Sequence, residues 1–405
     1  MANLYFTGFE WRSVTAGVEW LTSNSPGAGA FEIDTTVHHS GAASCKFTTS
    51  NAASRYMAHL FRATAATTGV YFRFYLYVQQ RPDVTVAVFQ AVDGATSEAA
   101  IALRSDGAIE LFDGDITGAS LGTSGVLSLN TWYMVELFAD NGGSPNELEA
   151  LLNGSSFATG ATSLAGDVDT IYVGAIDWHT STAAIFNIDD ISINDTAGSV
   201  NNSWCGEGNI VRDPLTGAGD NAATTGIYSY INEVPPSNTA TSGSTMIELD
   251  SNGVIADYAM TSSATLGIDS YDTITSVQVL ARVREEAAGT SSYQIRIKSA
   301  SGGTVTSTAA ADAGNATVRT NPASTTAFGR MLISETDPTT GIAWTPTGTN
   351  SIDNMQIGVA NVDADSTPDL WVTTMTAMIQ YVNGTAPGGS AVKDFISMGF
   401  IPFGR

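Results

Sequence analysis

Strand-type alternation, repeatedly closed off by Asx-Gly turns, constrains this chain more than any other feature. The strongest case is 69–78. There Tyr71, Arg73, Tyr75 and Tyr77 fall on one face, and Phe72, Phe74, Leu76 and Val78 on the other. A period of two carried by aromatic and aliphatic residues specifies a strand with distinct faces. Further strands are predicted at 4–10, 44–48, 85–91, 99–104, 109–112, 131–139 and 147–152. Asp93-Gly94, Asp106-Gly107, Asn141-Gly142 and Asn153-Gly154 punctuate them as turns. Many strands at short spacing, with almost no helical period between them, mean a β-sandwich.

The stretch 186–195, Phe-Asn-Ile-Asp-Asp-Ile-Ser-Ile-Asn-Asp, adds a second constraint. Ile188 alternates with Asn187 and Asp189, and Ile191 and Ile193 alternate with Asp190, Ser192 and Asn194. The two alternations are out of phase across Asp189-Asp190. Such a slip predicts a bulge that re-aims side chains. The small polar run 196–203 that follows reads as a linker, so this strand closes a first domain.

Beyond the linker the same grammar resumes. Strands are predicted at 245–249, 254–260, 274–283, 293–298, 330–333, 354–359 and 370–382, with 274–283 and 293–298 as a long pair. In 370–382, Trp371, Thr373, Met375, Ala377, Ile379 and Tyr381 share a face. The run 304–326 is poor in large apolar residues and reads as a loose excursion. The expected architecture is all-β. It comprises two tandem antiparallel sandwiches at 1–197 and 198–384, then a tail at 385–405.

Charge narrows the function classes. Sixteen Lys and Arg stand against 40 Asp and Glu, a net charge of −24. A surface this acidic repels nucleic acid, whose binding needs cations against phosphate, and avoids anionic membranes. No apolar run approaches the ~18 residues of a spanning helix. The opening Met-Ala-Asn-Leu-Tyr-Phe has neither a basic start nor a long apolar core, so the expectation is no signal peptide and synthesis in a cytoplasm. The two cysteines, Cys45 and Cys205, read as buried free thiols, with a disulfide as the alternative.

The motif order carries a resemblance. Gly8-Phe9-Glu10, His39-Ser40-Gly41 and the 186–195 strand resemble the concanavalin A-like (laminin G-like) jelly roll. With Asn201-Asn202-Ser203-Trp204, Gly206-Glu207-Gly208 and Ile231-Asn232-Glu233-Val234-Pro235-Pro236 added, the chain is similar over roughly 1–382 to a family of tailed-bacteriophage virion proteins. The resemblance implies a non-enzymatic structural protein on the virion, as a head decoration or tail component. Its partners would be other virion proteins and further copies of itself. It also implies a structural calcium clamping the first and last strands of the jelly roll, with Glu10 and Asp190 as carboxylate ligands and carbonyls near 39–41 as further ones. The competing reading pairs Glu10 with Arg12 or Arg55 and has Asp190 cap a bulge by bonding backbone N–H groups.

Jelly-roll glucanases place acids at alternate positions of one strand. Glu147 and Glu149 share a face here, but Leu151 interrupts the series. The four histidines have no Gly-x-Ser-x-Gly elbow, there is no Cys-x-x-Cys pattern, and the glycines form no phosphate loop. The expectation is therefore no enzyme. Sugar binding is the alternative from another class. Asp177-Trp178-His179 offers a stacking ring flanked by polar groups, although a loop Trp also serves as a lid on a core. Asp363, Asp365 and Asp369 are dense in carboxylate but lack the glycine and distal Glu of an EF-hand loop, and read as a polar turn. Phe395, Ile396, Met398, Phe400, Ile401 and Phe403 give the tail an apolar surface suited to docking on a neighbouring subunit.

Overall fold

The structure is a computed structural model. It describes residues 3–14, 20, 22–24, 31–49, 54–62, 69–140, 146–162, 166–176, 184–235, 246–285, 292–312, 331–362 and 370–386. Among these, four antiparallel sheets account for nearly all the regular structure. Among the described residues, no helix is long and apolar enough to cross a membrane.

The strands of the first two sheets lie within 3–195. One sheet runs in the order Ser155–Thr162, Asn146–Leu152, Trp132–Asp140, Val70–Gln80, Ile185–Asp195, Ser44–Thr48 and Phe31–Asp34, and Asn3–Thr7 also pairs with Ile185–Asp195. The facing sheet runs Ala119–Thr123, Ile109–Asp113, Thr96–Leu103, Val86–Asp93, Thr170–Ala175, Arg55–Leu60 and Thr22–Asn24. Phe72, Phe74, Leu76 and Val78 fill the space between them with Phe89, Ile101, Leu111 and Ile188, all at most 1% exposed. This is the apolar face predicted for 69–78. Glu147 is exposed while Leu148 and Ala150 are buried, so the alternation of that strand places its apolar side in the core.

The other two sheets draw on 209–382. One contains Asn209–Asp213, Leu370–Val382, Thr273–Glu285 and Met331–Ser334 in that order, with Ile247–Leu249 also on Leu370–Val382. The other runs Leu215–Ala218, Ile255–Met260, Gln356–Asn361, Ser292–Lys298 and Thr306–Ser307. The expected pairing of 274–283 with 293–298 is corrected here. Thr273–Glu285 pairs with Leu370–Val382 and Met331–Ser334, whereas Ser292–Lys298 pairs with Gln356–Asn361 in the opposite sheet. Both strands have a core face, Val277, Val279 and Ala281 on one and Tyr293, Ile295 and Ile297 on the other. Putting them in opposite sheets buries both faces against each other, which a flat hairpin does not.

The two sandwiches are joined along the outer face of the first sheet. Arg73 on that face is fully buried. Its Nε donates to the Asp190 carbonyl (3.2 Å) and its Nη1 to the Gly206 carbonyl (3.2 Å). Gly206 N–H donates to Glu136 (2.8 Å), and Trp204 lies against Tyr71 and Phe138. Gln278 behaves as a piece of backbone. Its Oε1 accepts from Phe6 N–H (3.3 Å) and its Nε2 donates to the Phe6 carbonyl (3.0 Å). Ile210, Leu280, Met331 and Met378 extend the first core into the second sandwich. The seam is thus partly core and partly hydrogen-bonded.

Candidate functional site

The site begins at the predicted bulge. Register slips between Asp189 and Ser192 where Ile185–Asp195 pairs with Val70–Gln80, and Asp190 takes φ +46°, a left-handed conformation that Asp tolerates better than most residues. Successive side chains of a regular strand point to opposite faces. The bulge lets both carboxylates reach one turn. Asp189 Oδ2 accepts the His39 N–H (2.7 Å). Asp190 meets the His39 ring Nδ1 (2.7 Å), the Ser40 hydroxyl (2.8 Å) and the Ile210 N–H (3.1 Å). Burial, then the neighbouring Asp190 charge, pushes the Asp189 carboxyl well above the usual carboxylate range.

Glu10 approaches the same turn from the other side. Its Oε1 accepts Ala42 N–H (2.7 Å) and Ala43 N–H (3.1 Å). Burial pushes its pKa up to about 7, with the Asp190 charge acting in the same direction; the amide donors and Arg12 oppose the shift. Gly41, at φ +60°, is required here: a Cβ would collide with the Glu10 carboxylate and lie 2.9 Å from the Ile210 carbonyl oxygen. Glu10 and Asp190, predicted as neighbours, therefore both bond to the 39–43 turn, Glu10 through the Ala42 and Ala43 amides and Asp190 through His39 and Ser40. The sequence-based partner Arg55 instead donates to the Thr48 carbonyl (3.0 Å). The carboxylates of Glu10 and Asp190 are oxygen donors of the kind calcium takes. Glu10 Oε2 has no hydrogen-bond partner among the described residues, while the Asp190 oxygens are engaged by His39, Ser40 and Ile210. Among the described residues, no group of three or more His, Cys, Asp or Glu is arranged to hold a metal ion.

Around this cluster three cavities follow one another along the seam. The first, about 310 Å³, is aromatic. The His39 ring stacks on Tyr75 (centroids 3.5 Å apart, 16° between planes), and Trp132 meets His39 edge-on at 5.8 Å and Tyr77 at 5.1 Å. Trp132 is half-buried. Asn153, from the first sandwich, and Glu207, Asn209 and Asn383 complete the lining. Asn153 Oδ1 is committed to Met134 N–H (3.0 Å). The second cavity, about 360 Å³, shares His39, Asn209 and Asn383 with the first and is also lined by Glu10, Ser40 and Arg212. The third, about 660 Å³, shares Glu10 and Arg212 with the second and adds Arg12, Thr216, Thr261 and Thr265. Together they form a groove with an aromatic end and a cationic end.

Of the residues singled out from the sequence, Glu10, His39 and Asp190 come together. Asp177, Trp178 and His179 lie outside the described residues, as do Asp363, Asp365 and Asp369 and the tail residues Phe395, Ile396, Met398, Phe400, Ile401 and Phe403. Glu147 and Glu149 sit on a strand away from the groove lining. Cys45 and Cys205 are both free thiols. Sequence reasoning missed Trp132, Asn209, Arg212 and Asn383. Their only signal was being polar or aromatic at the ends of strands, which becomes a site once the sandwiches abut.

No known family's sequence pattern matches the chain, and no curated protein sequence matches it. Solved structures resemble part of it. One is a cellulose-induced protein, Cip1, 19% identical, covering 50% of this chain and 99% of its own, with TM-score 0.38. Another is an alginate lyase of polysaccharide lyase family 7, 14% identical over 43% of this chain and 85% of its own, with TM-score 0.33. A third is a Trypanosoma rangeli sialidase variant with trans-sialidase activity, 13% identical over 44% of this chain and 31% of its own, with TM-score 0.31. None of the three is a virion protein. Two are enzymes, and with that the expectation that this chain is not an enzyme is withdrawn. Likeness at these scores assigns no activity to the chain.

Proposed function

We propose that this protein binds glycans, holding an oligosaccharide in the seam groove with Trp132 as the stacking platform. The observation that carries this reading is the aromatic cavity itself. A half-buried Trp stands against a His39–Tyr75 stack, with Asn153, Glu207, Asn209 and Asn383 lining the same space. A sugar presents an apolar ring face and a rim of hydroxyls. An aromatic surface ringed by amides and a carboxylate complements both. The floor is rigid, because His39 is held at its backbone by Asp189 and at its ring by Asp190. A fixed platform loses little entropy on binding.

A glycan array followed by titration calorimetry tests this. Wild type should bind a reproducible set of oligosaccharides, and Trp132→Ala should weaken them about tenfold or more, in line with the worth of a desolvated aromatic contact. An array at background, or binding indifferent to Trp132, removes the reading. The resemblance to phage virion proteins supplies a setting for it, as a host-glycan adhesin on a particle surface. Imaging of labelled particles tests that setting. A calcium ion between Glu10 and Asp190 belongs to the same proposal and is supported by both carboxylates bonding to the one turn at 39–43.

A further inference from the structure

The chain carries a net charge of −24 and only 16 Lys and Arg. Most cations with a described ionic role are answered by carboxylates. Lys298 binds Asp220 (2.6 Å) and Asp257 (3.0 Å), Arg104 binds Glu110 (3.0 Å), and Arg62 binds Asp195 (3.4 Å). Against that background two arginines line one cavity, the 660 Å³ end of the groove, where Glu10 is the sole acid among the described lining residues. Arg12 is exposed and has no ion pair among the described residues. Arg212 is half-buried and fixed. Its Nε donates to Thr376 (3.1 Å) and its Nη2 to the carbonyl and side-chain oxygens of Asn232 (3.0 and 2.6 Å). Asn232 is itself anchored, its Nδ2 donating to the Leu215 carbonyl (3.0 Å). Among the described residues, Nη1 of Arg212 has no hydrogen-bond partner. Within the lining two guanidiniums stand against one carboxyl, while the Asp213 charge acts on Arg212 from outside it. An anion there relieves the repulsion between like charges and gains charge-assisted hydrogen bonds.

We propose that the groove selects acidic glycans, with Arg12 and Arg212 holding a carboxylate or sulfate ester of the sugar while the chain of sugar rings extends toward Trp132. This rests on the glycan-binding reading and names its ligand class. The continuity of the cavities through Glu10 and Arg212, then His39 and Asn209, makes one extended ligand, rather than a lone inorganic ion, the natural occupant. In a protein this acidic, long-range repulsion disfavours any polyanion. A short-range site is therefore what makes an acidic glycan acceptable, and its discrimination should weaken as salt screens it.

The test is calorimetric titration with three oligosaccharides of matched length: a uronate oligomer, the same oligomer with its carboxyls reduced, and a sulfated neutral oligomer. Wild type should bind at least one anionic probe about tenfold or more tightly than the reduced one, the range of a hydrogen bond to a charged group. Which of the two anionic probes binds identifies the anion. In Arg12→Gln the ratio should fall toward one, and Arg12→Lys should keep most of it. Arg12 is exposed, so unchanged melting midpoints will separate lost recognition from lost folding. Equal wild-type affinity for anionic and reduced probes overturns the proposal, as does an Arg12→Gln variant with its ratio intact. Neutral binding through Trp132 without charge preference removes the acidic subsite and leaves the glycan reading standing. No binding of any probe removes both.

Discussion

Replacing Glu10 by Gln should stabilise the protein at alkaline pH and do almost nothing at acidic pH. Glu10 holds its proton more tightly folded, with a pKa of about 7, than unfolded, near 4.5. Its contribution is therefore full below pH 4.5 and is lost as pH rises through 7. The shift of about 2.5 units corresponds to about 3 kcal/mol at ~1.36 kcal/mol per unit. Burial sets most of it and the Asp190 charge adds to it, while the Ala42 and Ala43 amides and Arg12 oppose it. Gln keeps an oxygen to accept the Ala42 and Ala43 amides but cannot ionise. In chelator-treated protein at pH 8, Glu10→Gln should exceed wild type by up to about 3 kcal/mol. At ~2–4 °C per kcal/mol for a unit of this size, that is roughly 6–12 °C in melting midpoint. At pH 5 the two should agree within about 1 kcal/mol. Circular dichroism melts at both pH values read the difference directly. An offset between variant and wild type that is the same at pH 5 and pH 8 refutes the assignment of a buried, proton-holding carboxyl.

The same samples decide the calcium. A resident ion would supply the missing countercharge. Adding calcium at pH 8 should then raise the wild-type midpoint and raise that of Glu10→Gln less, by RT ln(1 + [L]/Kd) for an ion bound only to the native state. If chelator and calcium move neither midpoint, no ion is bound there and each carboxylate is held by its own hydrogen bonds.

Two further outcomes are expected. Gln278→Leu leaves the buried Phe6 N–H and carbonyl without their partner, and should cost about 2–4 kcal/mol in urea unfolding; a loss under about 0.5 kcal/mol would show that the seam does not depend on this pairing. Truncation after residue 386 should lower self-association measured by sedimentation, because the apolar tail is expected to dock on neighbouring copies; an unchanged oligomer distribution rejects that role.

Much of the fold was legible because each sandwich is patterned locally. The alternation in 69–78 identified which side chains face the core, and the phase slip at Asp189-Asp190 located a bulge that the register and the φ of Asp190 bear out. Both signals depend only on neighbours along the chain. What failed was pairing at a distance. The strands at 273–285 and 292–298 have the composition of a hairpin, yet they lie in opposite sheets. Each has a strong apolar face, and the sequence does not say whether two such faces sit side by side or face to face.

The groove was illegible for the same reason on a larger scale. Tyr75, on the outer face of its strand, reads as solvent-facing from alternation. In the folded chain it is 6% exposed, because the His39 ring stacks on it and the Gly208 N–H donates to its hydroxyl. Arg73, its neighbour on that face, is fully buried, with two of its nitrogens on the carbonyls of Asp190 and Gly206. The face whose polarity predicts water is therefore a contact surface, and its polar groups serve as the adhesive. The groove is the strip that the second sandwich leaves uncovered. Its walls come from residues some 170 positions apart, such as Ser40 and Arg212, and the Ile210 N–H donates to the Ser40 hydroxyl across the seam (2.8 Å). The Asp189-Asp190 bulge ties the two levels together. It is a local event, readable in ten residues, but what it aims at is the turn at His39 and the amide of Ile210 beyond the linker. The carboxylate pair that breaks the alternation of one sandwich is thus also what fixes that sandwich's position against the next.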